Sequence, residues 1–479
     1  MIRRREFLIG SAAALAGLRC RAAPDQRYDL CVIGSGFAGV FLALRTAAHG
    51  LSTLVLEAGG DLAQAAPGLE AEFGFENRGA IPYPLERSRV IAVGGGSNHW
   101  TGSLNRLRPS DFREQSEFGL HVDWPLDYAE LERWYCEAER ELWASGHAPV
   151  AGAEPARSCA YPFLDPGPYR MPEVHFGGEA VEFFPLAESK EQGRGGALRL
   201  LGTRIPELLA LPAAQLLPGA MAVELVPESA ARIDHVRVRD PRGREQRIHA
   251  RLFVVAAGVI ESARLLLASR SGFFPAGIGN RHDLVGRHFM EHPTFQWIVP
   301  TEWPAFLPPG VHRSYHFSDR FRREDLNAVH FQLHIERPGQ VSWKMQPEMS
   351  PRPGSRVTLS RTRRDRFGEP LPELRFGSSR RDRRTARATL PFLREQLRAL
   401  GVRADALPLE RRWRYHPAGT CRMARDERSG VVDRDGRVFG VENLYVSGAC
   451  CFPTAGTSNP TLSVVALALR LADHLNSRA

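Results

Sequence analysis

The chain has 479 residues, 43% of them hydrophobic and 24% charged, with a formal charge of +9. That length allows a large core in one two-part fold or two to three domains, and the composition is that of an ordinary globular protein. The positive charge does not read as a nucleic-acid footprint: lysine occurs only at Lys190 and Lys344, and arginine clusters such as 361–366 and 380–384 are interrupted by Asp365 and Asp382.

In chain order, Arg4-Arg5-Glu6-Phe7-Leu8 opens a basic stretch, Leu8 to Leu18 is apolar and rich in small residues, and Arg19 and Arg21 close it before Ala22-Ala23. The apolar part is too short to span a bilayer and has the order of a twin-arginine signal, so residues 1–23 are expected to direct export to the periplasm. No later run of 18 or more apolar residues occurs. Cys31, Cys136, Cys159, Cys421, Cys450 and Cys451 remain, with no CxxC or Cys/His metal spacing. No metal is expected, and an oxidising compartment permits disulfides without fixing a pairing.

Tyr28–Ile33 reads as a buried strand, Gly34-Ser35-Gly36-Phe37-Ala38-Gly39 as a glycine turn, and Val40–His49 as a helix. Ser52–Leu56 reads as a second strand that ends in Glu57 and Ala58. Glycine there lets the backbone approach a pyrophosphate resting on the helix N-terminus, and Glu57 falls where a carboxylate accepts from ribose hydroxyls. A second glycine loop follows at Val93–Gly102. Asp123-Trp124-Pro125-Leu126 then opens an amphipathic helix, Tyr128–Leu142, and the Pro/Gly-rich stretch near 150–200 is expected to form a loop or lid. Leu252–Ala257 reads as a buried strand and Val259–Leu267 as a helix.

Between 291 and 413 the apolar residues alternate, with strands expected at His330–His334 and Arg356–Leu359 and a helix at Arg383–Leu400. This suggests an antiparallel sheet with helices. The spacing of His330 and His334 places them on one sheet face and does not by itself make a metal site. His288, His292, His330 and His334, with Gln346 or Glu348, are candidates to bond substrate hydroxyls. At the C-terminal end, Tyr415-His416-Pro417-Ala418-Gly419-Thr420-Cys421 and Thr457-Ser458-Asn459-Pro460-Thr461-Leu462 are turn segments, the second leading into a helix over Thr461–Leu475. Pro417 restricts His416 to extended backbone. Asn459-Pro460 reads as an N-cap and N1 pair, compatible with an amide displayed at a helix end.

These segments together resemble the glucose-methanol-choline (GMC) oxidoreductases over nearly the whole mature chain: the first glycine turn, the loop Val93-Gly94-Gly95-Gly96-Ser97-Asn98-His99-Trp100-Thr101-Gly102, the Ala256-Ala257-Gly258 strand end, Gly279-Asn280 to Pro293, and the C-terminal block. The loop is most similar to the pyranose 2-oxidase branch and its bacterial sugar- and polyol-dehydrogenase relatives. The resemblance implies an α/β fold, α+β overall: a Rossmann-like FAD-binding domain built from 25–115, 200–290 and 414–479, a helix and lid segment at 116–199, and an inserted antiparallel-sheet substrate domain at 291–413. Implied FAD contacts are Gly34, Gly36, Phe37, Ala38, Gly39, Glu57, Ala58, Gly95, Gly96, Ser97, Asn98, His99, Thr101, Val223, Ala257, Gly448, Ala449, Pro460 and Thr461. In that branch the histidine carried over to His99 is bonded to the flavin and the threonine carried over to Thr101 lies near its N5; a covalent bond and a merely stacked imidazole both stay open. Where many members of the family carry an acid near the flavin, this chain has Ser447-Gly448-Ala449.

The resemblance implies alcohol oxidation, with His416 as the base for the hydroxyl proton, Asn459 as the amide that orients the oxygen, and flavin N5 as hydride acceptor. The expected substrate is a sugar, glycoside or polyol. The expected enzyme is a dehydrogenase with a small accessory subunit and a c-type cytochrome as acceptor. Alternatives are an oxygen-using oxidase, an enzyme for an apolar alcohol or sterol, and, more remotely, a non-redox lyase that keeps FAD.

Overall fold

The computed structural model describes residues 27–478 apart from 61–73, 85–87, 147–154, 165–174, 177–178, 181–184, 188–196, 301–312, 319–320, 338–339, 366–367 and 400–407. The export segment and much of the expected lid therefore lie outside the described residues.

The chain enters through β1 (Arg27–Ile33), α1 (Phe37–Ala48) and β2 (Thr53–Glu57). In β1, residues 30 to 32 have no exposed surface, as a strand covered on both faces should. After α2 (Tyr128–Glu141) come β3 (Ala214–Pro218), β4 (Met221–Ser229), β5 (Arg232–Arg239), β6 (Glu245–Val255) and α3 (Gly258–Ala268). The main sheet has the order β4-β5-β6-β1-β2-β3, and a late strand, Leu444–Val446, adds beside β6. β6 begins earlier than its buried half suggests: its first residues pair antiparallel with β5, and only 253–255 run parallel to both β1 and the late strand. At their carboxyl ends, five strands thus lie parallel and side by side.

The inserted region supplies β7 (Pro293–Pro300), β8 (Arg313–Ser318), β9 (Val329–Arg337), β10 (Gln340–Pro347), β11 (Arg356–Arg364), β12 (Pro370–Arg375), α4 (Arg380–Ala399) and β13 (Glu410–Trp413). The single expected sheet is in fact two. Five strands pair antiparallel in the order β8-β9-β10-β7-β13, while β11 and β12 form a separate hairpin sheet with the short strand Glu76–Asn77. The Val357 amide, bonded to the Gly286 carbonyl at 2.8 Å, ties β11 to the main domain instead. His330 lies buried on β9, and the side chain of His334 lies outside the described residues.

The late strand is β14 (Leu444–Val446), and the last element is α5 (Thr461–Asn476). α5 buries Leu462, Val465, Leu469 and Leu475 between α1 and α2. Each such side chain contributes roughly 1.5–3 kcal/mol on burial. The Tyr135 hydroxyl meets the Ser463 hydroxyl at 2.7 Å across the same contact. This packing fixes the end of the segment that carries Asn459.

Candidate active site

A cavity of about 290 Å³ runs across the carboxyl ends of the parallel strands. It is lined by Gly34, Ser35, Gly36, Phe37 and Ala38 after β1, and by Glu57 and Ala58 at the end of β2. Residues 220–222, Ala257 and Gly258, and Ser447, Gly448 and Ala449 line the rest of that edge, with Gly95, Gly96 and Pro417 from elsewhere in the chain. Ligands of open α/β sheets bind outside the carboxyl ends of the strands.

The residues present suit a dinucleotide. Gly34 has φ +111°, and a Cβ there would stand 2.5 Å from the Ala256 carbonyl oxygen, so only glycine lets β1 and β6 close beneath the turn. At Gly36 a Cβ would meet nothing within 4 Å, which leaves backbone approach from the cavity open. The N-terminus of α1 has no side-chain cap and no acid in its first turn, so its positive end is left for an anion. Glu57 is held ready: Oε2 accepts from the Ser35 amide at 3.1 Å and the Ser35 hydroxyl at 2.7 Å, and Oε1 accepts from the Gly59 amide. Burial raises its pKa, and these bonds oppose the shift.

Some expected contacts lie elsewhere. Gly39 sits against the turn rather than the cavity, and its Cβ would stand 1.9 Å from the Gly34 oxygen, so it serves close helix–strand approach. Ser97 is buried and accepts from the Leu200 amide, and Asn98 donates to the Val93 carbonyl. His99 and Thr101 are exposed beside the lining glycines 95 and 96. Val223 packs with Met221, Ala58 and Ile91, and its neighbours Met221 and Ala222 line the cavity in its place. The pairing of β4 with β5 shifts register between Ala222 and Glu224, so Val223 sits at an irregularity of the strand. Pro460 and Thr461 belong to the start of α5 and are not among the lining residues. Sequence reading missed Arg89, Glu261 and Arg264, which also line the cavity. Glu261 accepts from Arg264 at 2.5 Å, approaches Arg89 at 3.4 Å, and is held below the usual range by the two guanidiniums against its burial. The i,i+3 spacing of Glu261 and Arg264 was the only available signal.

Beside Pro417, the structure brings His416 and Asn459 together. Asn459 Nδ2 lies 3.4 Å from His416 Nε2. The cap reading of Asn459 fails, because Pro460 is the N-cap of α5 and no side chain caps it. The amide is thereby free to face the imidazole. His292, expected from the sequence to bond substrate hydroxyls, is instead the partner of His416. Its Nε2 meets the Gly456 carbonyl at 2.8 Å, and its Nδ1 meets His416 Nδ1 at 3.2 Å. A carbonyl only accepts, so His292 carries its proton on Nε2 and presents a lone pair at Nδ1. His416 must then donate from Nδ1, which leaves its Nε2 lone pair directed towards Asn459.

Electrostatics keep this pair neutral. Burial, then His292 and Arg414, hold His416 well below the usual imidazole range, and burial brings His292 to about 4. Below them the buried Glu291 carboxylate accepts the backbone N–H groups of both His416 and His292 and the Tyr83 hydroxyl at 3.0 Å. Burial lifts Glu291 to about 7 despite those donors. Gly419, at φ +80°, turns the chain just after His416, and a Cβ there would stand 2.1 Å from the His288 carbonyl oxygen. Among the candidates for substrate hydroxyls, His288 faces the Pro351 carbonyl at 3.3 Å, Gln346 donates to Gln332, and Glu348 accepts from the Gly456 amide at 2.7 Å.

Residues 351–468 match the family model for GMC oxidoreductases. The large subunit of fructose dehydrogenase from Gluconobacter japonicus is 24% identical over 93% of this chain and 97% of its own. Paromamine 6'-oxidase from Streptomyces fradiae is 29% identical over 94% and 91%. A crystal structure of formate oxidase superposes with a TM-score of 0.68 at 15% identity, covering 95% of this chain and 99% of that one. With the dinucleotide cavity and the C-terminal histidine block in place, the chain resembles the GMC oxidoreductases in residues 351–468 and in its fold, and the cofactor that its cavity suits is FAD.

Proposed function

We propose that this enzyme oxidises a CH–OH group of a sugar, glycoside or polyol, with His416 as base and Asn459 as the amide that orients the reacting oxygen. The relay from the Gly456 carbonyl through His292 to His416 carries the proposal, because it leaves Nε2 unprotonated at neutral pH. Such a nitrogen can take the hydroxyl proton as the C–H bond breaks. Asn459 can donate to the substrate oxygen from the same side, which restricts the approach of the alcohol. FAD, held by the glycine turn, Glu57 and the Ser447–Ala449 backbone, supplies the hydride acceptor. The substrates in the names of the relatives above, fructose and paromamine, support a polyhydroxylated substrate.

A dehydrogenase that uses a small subunit and a c-type cytochrome fits the relation to a dehydrogenase large subunit. An oxidase is the second reading, favoured by the similarity to paromamine 6'-oxidase at 29% identity. Export by the twin-arginine route is supported by the leader composition and by a disulfide between Cys136 and Cys159. His99, exposed beside the lining glycines, is the site where FAD would be attached. Acid precipitation tests this, since yellow colour should stay with wild-type protein and leave a His99→Ala variant.

The deciding experiment is an anaerobic screen of sugars, glycosides and polyols for bleaching of the bound flavin. At least one should bleach it, and the His416→Ala variant should do so at least about 100-fold more slowly. Bleaching of that variant at the wild-type rate would remove His416 from the mechanism. Reoxidation by air on the turnover timescale would establish the oxidase reading, and slow reoxidation the dehydrogenase.

A further inference from the structure

Away from the cavity, Glu114, His121 and Glu348 converge from three segments: the first turn of a short helix, the loop after it, and the chain just past β10. Their ligating atoms lie within 4.8 Å of one another. Both glutamates have no exposed surface, and the His121 side chain is 3% exposed. Apart from one another, Oε1 and Oε2 of Glu114, Oε2 of Glu348 and Nε2 of His121 have no hydrogen-bond partner among the described residues. Four buried polar atoms aimed at one point, all without a partner outside the group, are rare in native proteins and point to a missing ligand.

Charge selects the class of ligand. Asp111 pairs with the buried Arg322, whose single positive charge also acts on Glu114 and Glu348, so three carboxylates share one guanidinium in a dry site. A proton between Glu114 and Glu348 would serve one oxygen pair and leave the imidazole and the other Glu114 oxygen unpartnered. A dication would balance the charge left over and engage all three side chains. One imidazole with two carboxylates is a donor set for a first-row metal such as Zn²⁺ or Mn²⁺ rather than for Mg²⁺, which keeps its waters. We propose that Glu114, His121 and Glu348 form a structural site for one first-row divalent cation.

The consequence reaches the active site through Glu348. Its Oε1 accepts from the Gly456 amide at 2.7 Å, and the Gly456 carbonyl is the group bonded to His292. A cation on the other oxygen of Glu348 would therefore brace the turn that sets the imidazole relay. Spacing along the sequence could not show this site, because β3–β6 and most of the inserted sheet lie between His121 and Glu348 in the chain.

Elemental analysis of holoenzyme purified without chelator should find about one Zn or Mn per chain. Dialysis against a chelator should lower the thermal midpoint by several degrees, and Zn²⁺ or Mn²⁺, but not Mg²⁺, should restore it. Glu114→Gln and His121→Asn, the latter chosen because asparagine tolerates the φ of +41° at this position, should fold, retain FAD and lose the metal and the response. Holoenzyme with below about 0.1 metal per chain and no midpoint change on adding Zn²⁺ or Mn²⁺ would overturn the proposal. So would both variants holding as much metal as wild type.

Discussion

Replacing His292 by leucine tests the relay directly. The ring is buried at 1% exposure, and leucine fills comparable volume without a lone pair. His416 Nδ1–H then loses its acceptor. Either it stays buried and unpaired, at about 1–3 kcal/mol, or the tautomer switches and places the proton on Nε2, where it blocks proton uptake. Both routes cost the reactive form a similar amount, so flavin reduction should slow by about 5- to 150-fold. The assay is anaerobic stopped-flow bleaching at a saturating concentration of a sugar found in the screen, with FAD content and thermal midpoint as folding controls. His292→Gln discriminates: its Oε1 can accept from His416 while its Nε2 donates to Gly456, so it should recover much of the rate. Leucine at the wild-type rate, or glutamine no better than leucine, would refute the tautomer argument.

Glu57→Gln places an amide N–H₂ among the Ser35 and Gly59 donors, and equilibrium titration of apoprotein should show FAD affinity reduced about 10- to 100-fold. Gly419→Ala forces a Cβ onto the His288 carbonyl at a left-handed position, so the thermal midpoint should fall by the equivalent of at least about 2 kcal/mol. Cys136→Ser opens a loop of 23 residues and should cost about 3 kcal/mol, read as a midpoint loss that reductant does not increase. His288 and His292 are depressed from 6.5 to about 4 by burial, so the stability they contribute is present above pH 6.5 and is lost as pH falls towards 4, at about 3 kcal/mol each. Glu291, raised to about 7, acts in the opposite sense between pH 7 and 4.5. His416, held well below the imidazole range, adds to the histidine side and the raised Glu57 to the other, so melts of metal-loaded protein from pH 7 to 4 should show a net decline, and a flat or rising midpoint would contradict it.

The nucleotide half was the readable half. Strand, glycine turn, helix and terminal acid are local patterns, and Gly34, Gly36 and Glu57 lie where they were expected because each is set by backbone within a single βαβ unit. The flavin loop was legible only in part: Gly95 and Gly96 line the cavity, while Ser97 and Asn98 turn into the protein to hold the loop itself. Val223 sits where the β4–β5 register shifts between Ala222 and Glu224, an irregularity that no local sequence pattern announces. The two sheets of the inserted region could not be told apart, since alternation gives a strand its faces but not its neighbours.

By itself the sequence determined the dinucleotide turn, the alternating α/β order and the two C-terminal segments that carry His416 and Asn459. Only the tertiary structure decided what stands behind them. His292 and Glu291 come from the segment between α3 and β7, Gly456 from the turn before α5, and Tyr83 from the first third of the chain. Hydrogen-bond partners at such separations leave no period or spacing in the sequence, yet they set which nitrogen of His416 carries the proton.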